Sequence, residues 1–237
     1  MSHETHFIGK GMFHELDGKL QEFLEKRADP EVNGRYELIL SNEWASNDCQ
    51  LDGVAGSPLE KAIENHQNAT ALLMSRPEPV VQGLSLIKDI HSMMMDGLSD
   101  EAGQFRIGGI VPLSVGHQPP EADGIEAAMG RLLEWVSADS FLELHPVQQA
   151  ALVLVRLLDI YPFADGTPRT CRVMANSGLI RAGFPPAIFY FGEASLYKQA
   201  IEAGLAMDTT RLTTRIAASL ARTLEYCLTG TLKSAVT

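Results

Sequence analysis

Helical periodicity dominates the chain. Residues 13–26 place Phe13, Leu16, Leu20, Phe23 and Leu24 at three- and four-residue spacing, one apolar stripe that predicts a helix. Asp29-Pro30 breaks it, and a second helix is predicted over about 36–47. Residues 52–58 read as a turn, in which Ser57 suits an N-cap, Pro58 the first helical position and Glu60 the capping-box position. The next helix runs to about Ser75, where Arg76-Pro77-Glu78-Pro79 ends it. Residues 80–95 form a further helix, with Leu84, Ile87, Ile90, His91 and Met94 inward.

Residues 97–120 differ in kind. They hold Gly97, Gly103, Gly108, Gly109, Gly116 and three prolines. Residues 104–107 and 110–113 read as two short strands of a hairpin around Gly108-Gly109. Helices resume over 124–138. His145-Pro146 then starts the most apolar helix, which ends near Ile160 and belongs in the core. Residues 161–168 are a loop, and Thr167-Pro168 opens a helix over about 169–182 that Gly183-Phe184-Pro185-Pro186 closes. Two more helices follow, near 195–206 and 210–228. The expected fold is all-α, about eight or nine helices with a small β-hairpin. A helical extension (1–41) precedes a main domain (42–228), and a short tail (229–237) follows.

Composition narrows the function classes. Hydrophobic residues at 45% and charged residues at 21% exclude a disordered or fibrous chain. A formal net charge of -11 repels phosphate backbones and argues against nucleic acid as a partner. Cys49, Cys171 and Cys227 are odd in number and far apart, with neither a disulfide framework nor metal-ligand spacing. Together with a polar N-terminus, this predicts a reducing, cytoplasmic setting. The longest apolar run, 150–158, is interrupted by Arg156 and too short to span a bilayer, so no membrane role is expected.

The chemistry concentrates in Tyr161-Pro162-Phe163-Ala164-Asp165-Gly166-Thr167-Pro168-Arg169-Thr170-Cys171-Arg172. A loop enters a helix with Thr167 as the expected N-cap and Pro168 at the first position, so unpaired amides and the helix dipole favour an anion. Arg169 and Arg172 lie three apart on one helix face, and a guanidinium fork suits phosphate. Asp165 precedes them, and a carboxylate beside a phosphate site can hold Mg²⁺. Cys171, beside two arginines, reads as a small core residue rather than a nucleophile, because no histidine is adjacent in sequence.

This stretch resembles the signature of the Fic (Fido) family, His-x-Phe-x-Asp/Glu-Gly-Asn-Gly-Arg-x-x-Arg. Phe163, Asp165, Gly166, Arg169 and Arg172 match it; Tyr161, Thr167 and Pro168 depart from it. Further landmarks are similar in order: His145-Pro146 before the buried helix, Gly183-Phe184-Pro185-Pro186 after the motif helix, and Phe105-Arg106-Ile107-Gly108-Gly109 as a flap followed by Pro119-Pro120. The resemblance implies transfer of AMP from ATP, with Mg²⁺, to a protein hydroxyl. It implies Asp165 as metal ligand, Gly166, Thr167, Arg169 and Arg172 around the phosphates, Tyr161 at the base position, and Ile107, Gly108 and Gly109 in the flap. Asp48-x-x-x-Asp52-Gly53 resembles the family's inhibitory motif, with Asp52 in place of its glutamate.

The departures bear on activity. A general base works best with a pKa near the working pH, and tyrosine, at about 10, lies far above it. Pro168 has no N–H to offer a phosphate. The expectation is a divergent Fic-domain protein with a nucleotide site and weak or absent AMP transfer. Two alternatives remain open: a working transferase of a phosphate-linked group, and a non-enzymatic module whose flap adds a strand to a partner peptide. Expected partners are a nucleotide and a protein, with self-association also open.

Overall fold

The computed structural model describes residues 3–75, 84–111 and 113–231. Among these residues there are eleven α-helices. Helix α1 (His3–Lys26) precedes α2 (Pro30–Leu38), which starts where Asp29 caps it: the Asp29 carboxylate accepts from Glu31 N at 2.8 Å, and Pro30 takes the first turn. The helix does not stop near Asn47 as the sequence suggests. It passes through a π-helical stretch, Ile39–Trp44, into α3 (Ala45–Leu51). A π turn shifts the phase of the buried face between the flanking helices. Here it accompanies a fully buried Trp44 and turns Asp48 and Cys49 inward.

Helices α4 (Pro58–Ser75) and α5 (Leu84–Met94) pack on each other. The predicted start of α5 at residues 80–83 and the Pro-rich stop at 76–79 lie outside the described residues, as do 232–237 of the tail. Helix α6 (Ile125–Val136) and the short α7 (Asp139–Leu142) lead to the centre of the fold, α8 (Pro146–Ile160). His145 and Gln148 form a reciprocal cap there, with His145 Nδ1 accepting from Val147 N at 3.2 Å and Gln148 Oε1 from His145 N at 3.2 Å. Val147, Leu154, Leu157 and Leu158 are buried on α8, each such aliphatic side chain contributing about 2 kcal/mol by leaving water.

Helix α9 (Thr167–Arg181) packs along α8, while α10 (Ala194–Leu205) and α11 (Thr210–Thr229) cover its remaining faces and α1 closes over α11. Helix α3 reaches α9 from the side of α4. No helix of the described residues is long and apolar enough to cross a membrane.

The predicted β-hairpin is a correction. No strand occurs among the described residues, and Pro112 lies outside them. The backbone of residues 104–113 bonds elsewhere. Arg106 N donates to Pro162 O at 3.0 Å, and Leu113 N donates to His117 Nδ1 at 3.0 Å. Side chains complete the anchoring: Arg106 donates to Tyr161 O (2.7 Å), Gly108 O (2.8 Å) and Pro120 O (2.6 Å), and His117 Nε2 to Asp159 O (3.1 Å). The flap is a loop stapled to the end of α8.

Candidate functional site

The turn between α8 and α9 is built from left-handed residues at both ends. Tyr161 ends α8 at φ 47, ψ 67, a conformation more usual for glycine. Gly166 opens α9 at φ 66, and a Cβ there would stand 2.4 Å from Met95 Sδ. Glycine is therefore required twice over, for its backbone and for the contact. Thr167 is not the N-cap that the sequence suggests; Gly166 is, with Thr167 and Pro168 as the first helical residues. The Thr167 hydroxyl instead closes the loop, accepting from Phe163 N at 2.9 Å and donating to Phe163 O at 2.8 Å.

Phe163 is buried and stacks on His91 at 3.7 Å between ring centroids. His91 Nδ1 accepts from Gly103 N at 2.9 Å, which leaves Nε2 as the donor to Asp165 O at 2.9 Å. Burial lowers the His91 pKa, in keeping with this neutral tautomer. The exposed Asp165 carboxylate accepts from its neighbour Gly166 N at 2.7 Å.

Arg169 and Arg172 point into the protein, toward α3. Arg172 is 1% exposed. Its Nε donates to Asp48 Oδ1 (2.9 Å) and its Nη2 to Asp48 O (2.8 Å) and Asp52 Oδ1 (2.8 Å). Asp48 Oδ2 faces His66 Nε2 at 3.1 Å, both side chains buried. Arg169 Nε forms an ion pair with Asp52 Oδ2 at 3.0 Å, while its Nη groups meet Cys49 Sγ (3.8 Å) and Met95 Sδ (3.3 Å). Two guanidinium groups thus face two carboxylates. Burial alone would raise the Asp48 pKa, but Arg172 and His66 outweigh it and hold the carboxyl below its ordinary value. Burial likewise opposes the charge of Arg172, yet Asp48 and Asp52 keep it firmly protonated.

Outside this cluster lies an open cleft of about 600 Å³, lined by Asp52, Tyr161, Asp165, Pro168, Tyr197 and Lys198 among others. Its volume suits a nucleotide-sized ligand. Burial, then the nearby Cys171, Asp52 and Asp165, push the Tyr161 hydroxyl up to about 12. Tyr161 therefore stays protonated near neutral pH and can donate but not accept a proton as a base. Burial raises the Cys171 thiol as well, outweighing the lowering by Arg172, and Cys171 is the core residue that the sequence suggests.

Nucleotide and Mg²⁺ fit this site in part. Asp165 is placed to hold Mg²⁺ only together with phosphate oxygens, because no group of three His, Cys, Asp or Glu side chains converges among the described residues. Beside the cleft, Asp52 is paired with both arginines. In the flap, Ile107 (89% exposed) and Val111 (87%) present apolar side chains on either side of Gly108-Gly109. The sequence left His66, Tyr197 and Lys198 unremarked, read Met95 only as helix core or surface, and marked His91 only as an inward helical position. None carries a local signal, since each matters through a partner distant in sequence.

The chain resembles known proteins over these same elements. A model of the Fic/DOC family matches residues 83–179. The "Protein adenylyltransferase Fic" of Drosophila willistoni is 31% identical over 179 residues, 72% of this chain and 36% of that protein. The chain thus spans about a third of that relative's length. In structure it is similar to Fic-1 (residues 134–508) from C. elegans, with a TM-score of 0.83, 15% identity, and coverage of 97% of this chain and 74% of that one. It is also similar to IbpAFic2 covalently tethered to Cdc42, with a TM-score of 0.57, 14% identity, and coverage of 87% and 70%. The family match takes in α5, the flap, α8 and nearly all of α9, every element that forms the motif turn, and the chain belongs to the Fic/DOC family, in the lineage of the Fic adenylyltransferases.

Proposed function

We propose that this protein binds a nucleotide in the cleft beside Tyr161 and has weak or absent protein AMP transferase activity. The observation that carries this reading is Tyr161 itself. It occupies the position at which the family's signature has a histidine base, and its hydroxyl is held at about 12. At neutral pH it cannot take the proton from an acceptor hydroxyl, a contribution that ordinarily speeds such reactions by about a hundred- to ten-thousandfold.

The residues on either side support the same reading. Pro168 supplies no amide to a phosphate, and Gly166 N is already bonded to Asp165 Oδ1. Asp52 fills the place of a terminal phosphate against Arg172 and Arg169 and acts as an internal inhibitor. When bound, ATP with Mg²⁺ would supply an electrophilic α-phosphate. Arg169, once released by Asp52, would orient it, and Asp165 would hold the metal. The IbpAFic2 structure carries a protein, Cdc42, and a protein hydroxyl is the acceptor class proposed here.

A second reading, a module that docks a partner peptide, is favoured by the exposed Ile107 and Val111 on a loop that pairs with no strand among the described residues. Labelled ATP with Mg²⁺ separates the two. Nucleotide binding with little or no AMP transfer fits the first reading. Peptide capture without any nucleotide binding fits the second.

A further inference from the structure

A second groove lies between α6 and α8, outside the motif cleft and sharing none of its lining residues. It measures about 320 Å³. Leu132 and Ile160, both buried, form an apolar floor, and the partly buried Trp135 flanks them. Arg131, Arg156 and Asp159 bring charge to the lining. Arg131 is exposed and makes no hydrogen bond or ion pair among the described residues. Arg156 has one carboxylate partner, Asp159, at 3.7 Å, and its guanidinium lies 5.9 Å from the Trp135 ring centroid.

The charges select a ligand. Two guanidinium groups share one carboxylate, which leaves the groove short of a single negative charge. His117 also stands 4.0 Å from Asp159 Oδ1, but its Nδ1 accepts from Leu113 N, so the ring is a neutral tautomer and adds no charge. One carboxylate completes the balance, whereas a phosphate dianion overfills it. A run of acidic residues would be repelled by the chain's net charge of -11. The apolar floor favours an aliphatic or aromatic neighbour to that carboxylate. The groove is small and open to the surface, so it fits two side chains of a passing segment rather than a whole enclosed ligand.

We infer that this groove docks a segment of a partner protein that carries one aspartate or glutamate beside an apolar side chain. Arg131 and Arg156 hold the carboxylate, and Leu132, Trp135 and Ile160 receive the apolar side chain. The inference is independent of any nucleotide in the motif cleft. The groove adjoins the flap root, because His117 Nε2 donates to Asp159 O at 3.1 Å and Arg106 Nη2 to Ile160 O at 3.5 Å. A docked segment therefore lies beside the flap, yet its selection rests on the two helices and not on the flap's exposed Ile107 and Val111.

The test is a nuclear magnetic resonance titration of the full chain with a leucine–glutamate–leucine tripeptide, capped at both ends, and with its leucine–glutamine–leucine counterpart. The chain has two tryptophans, and Trp44 is fully buried while Trp135 lines the groove. Their indole N–H signals therefore give an internal control and a reporter. The glutamate peptide should shift the Trp135 signal saturably in the millimolar range and leave Trp44 unmoved. The glutamine peptide should bind about fivefold more weakly, the scale of an exposed ion pair. Inorganic phosphate at the same concentrations should shift Trp135 less. R131Q with R156Q changes two exposed side chains, so the variant should keep the fold and bind both peptides equally weakly. No saturable shift of Trp135, equal binding of the two peptides by the unaltered chain, or a larger response to phosphate overturns the inference. So does a preference for the glutamate peptide that survives in the folded double variant.

Discussion

The Asp52 carboxylate accepts a hydrogen bond from Arg172 Nη2 at 2.8 Å, and both residues line the cleft although Arg172 is almost wholly buried. The other oxygen of Asp52 stands 3.0 Å from Arg169 Nε. One short side chain therefore neutralises parts of two cations, and on the proposed reading it competes with a phosphate for them. Replacing Asp52 with glycine should tighten ADP binding by about tenfold, roughly the contribution of one hydrogen bond to a charged group. Calorimetry at fixed ionic strength measures this. Unchanged affinity would mean that Asp52 does not compete with the ligand.

Asp48 should make stability depend on acid pH. Its carboxyl is held below the ordinary value in the folded chain, so the unfolded chain takes up the proton first as pH falls. The stability that Asp48 contributes is fully present above the unfolded value of about 3.9 and is lost as pH drops through the lower folded value. D48N should flatten that part of the curve and lower stability at neutral pH by about 2 to 3 kcal/mol, because the buried Arg172 loses one of its two carboxylate partners. Urea unfolding at a series of pH values reads both effects. An unchanged acid slope in D48N would contradict the assignment.

Arg106 should hold the flap and the motif turn together. It donates to Tyr161 O, Gly108 O and Pro120 O while its backbone N reaches Pro162 O. Arg106→Ala leaves several carbonyls without a partner and should cost about 2 to 4 kcal/mol. Arg106→Lys should recover only part of this, since an ammonium lacks the planar fork. Hydrogen exchange across residues 103–120 should rise in both variants, most in the alanine. Exchange confined to its original level would show that the flap is shaped by something else.

Gly166 has both a left-handed backbone at φ 66 and Met95 Sδ 2.4 Å from where a Cβ would lie. Gly166→Ala should destabilise the chain by about 2 kcal/mol, combining backbone strain with overpacking. Gly166→Ala with Met95→Ala should regain the packing share only. A neutral Gly166→Ala in thermal unfolding would contradict this geometry.

Much of the fold was legible because amphipathic spacing reports burial directly. Leu16 and Phe23 of α1, and Ile87, Ile90 and Met94 of α5, are buried where the spacing puts them. The flap was misread because alternation around Gly108-Gly109 indicates a hairpin only if the two segments pair. Here Arg106 and His117 direct the backbone to α8 instead, a tertiary choice that spacing does not encode. The motif turn could be located from Phe163, Asp165, Gly166, Arg169 and Arg172, yet not the direction of its arginines. That direction depends on Asp48 and Asp52, brought in by α3, and on His66, brought in by α4. The cap was misassigned to Thr167 because its hydroxyl is a good acceptor for a helix amide, and the loop uses it at Phe163.

The central claim is that Tyr161, with Thr167-Pro168, weakens AMP transfer. The base and the phosphate amide are separate defects, each ordinarily costing about a hundredfold or more in rate. The direct measurement is intact-mass analysis of the protein incubated with ATP and Mg²⁺, alone and with acceptor protein. The account predicts little or no gain of an AMP unit by the unaltered chain and none by Tyr161→His alone. It predicts detectable gain only when Tyr161→His is combined with Thr167→Asn and Pro168→Gly. Robust AMP gain by the unaltered chain would contradict it.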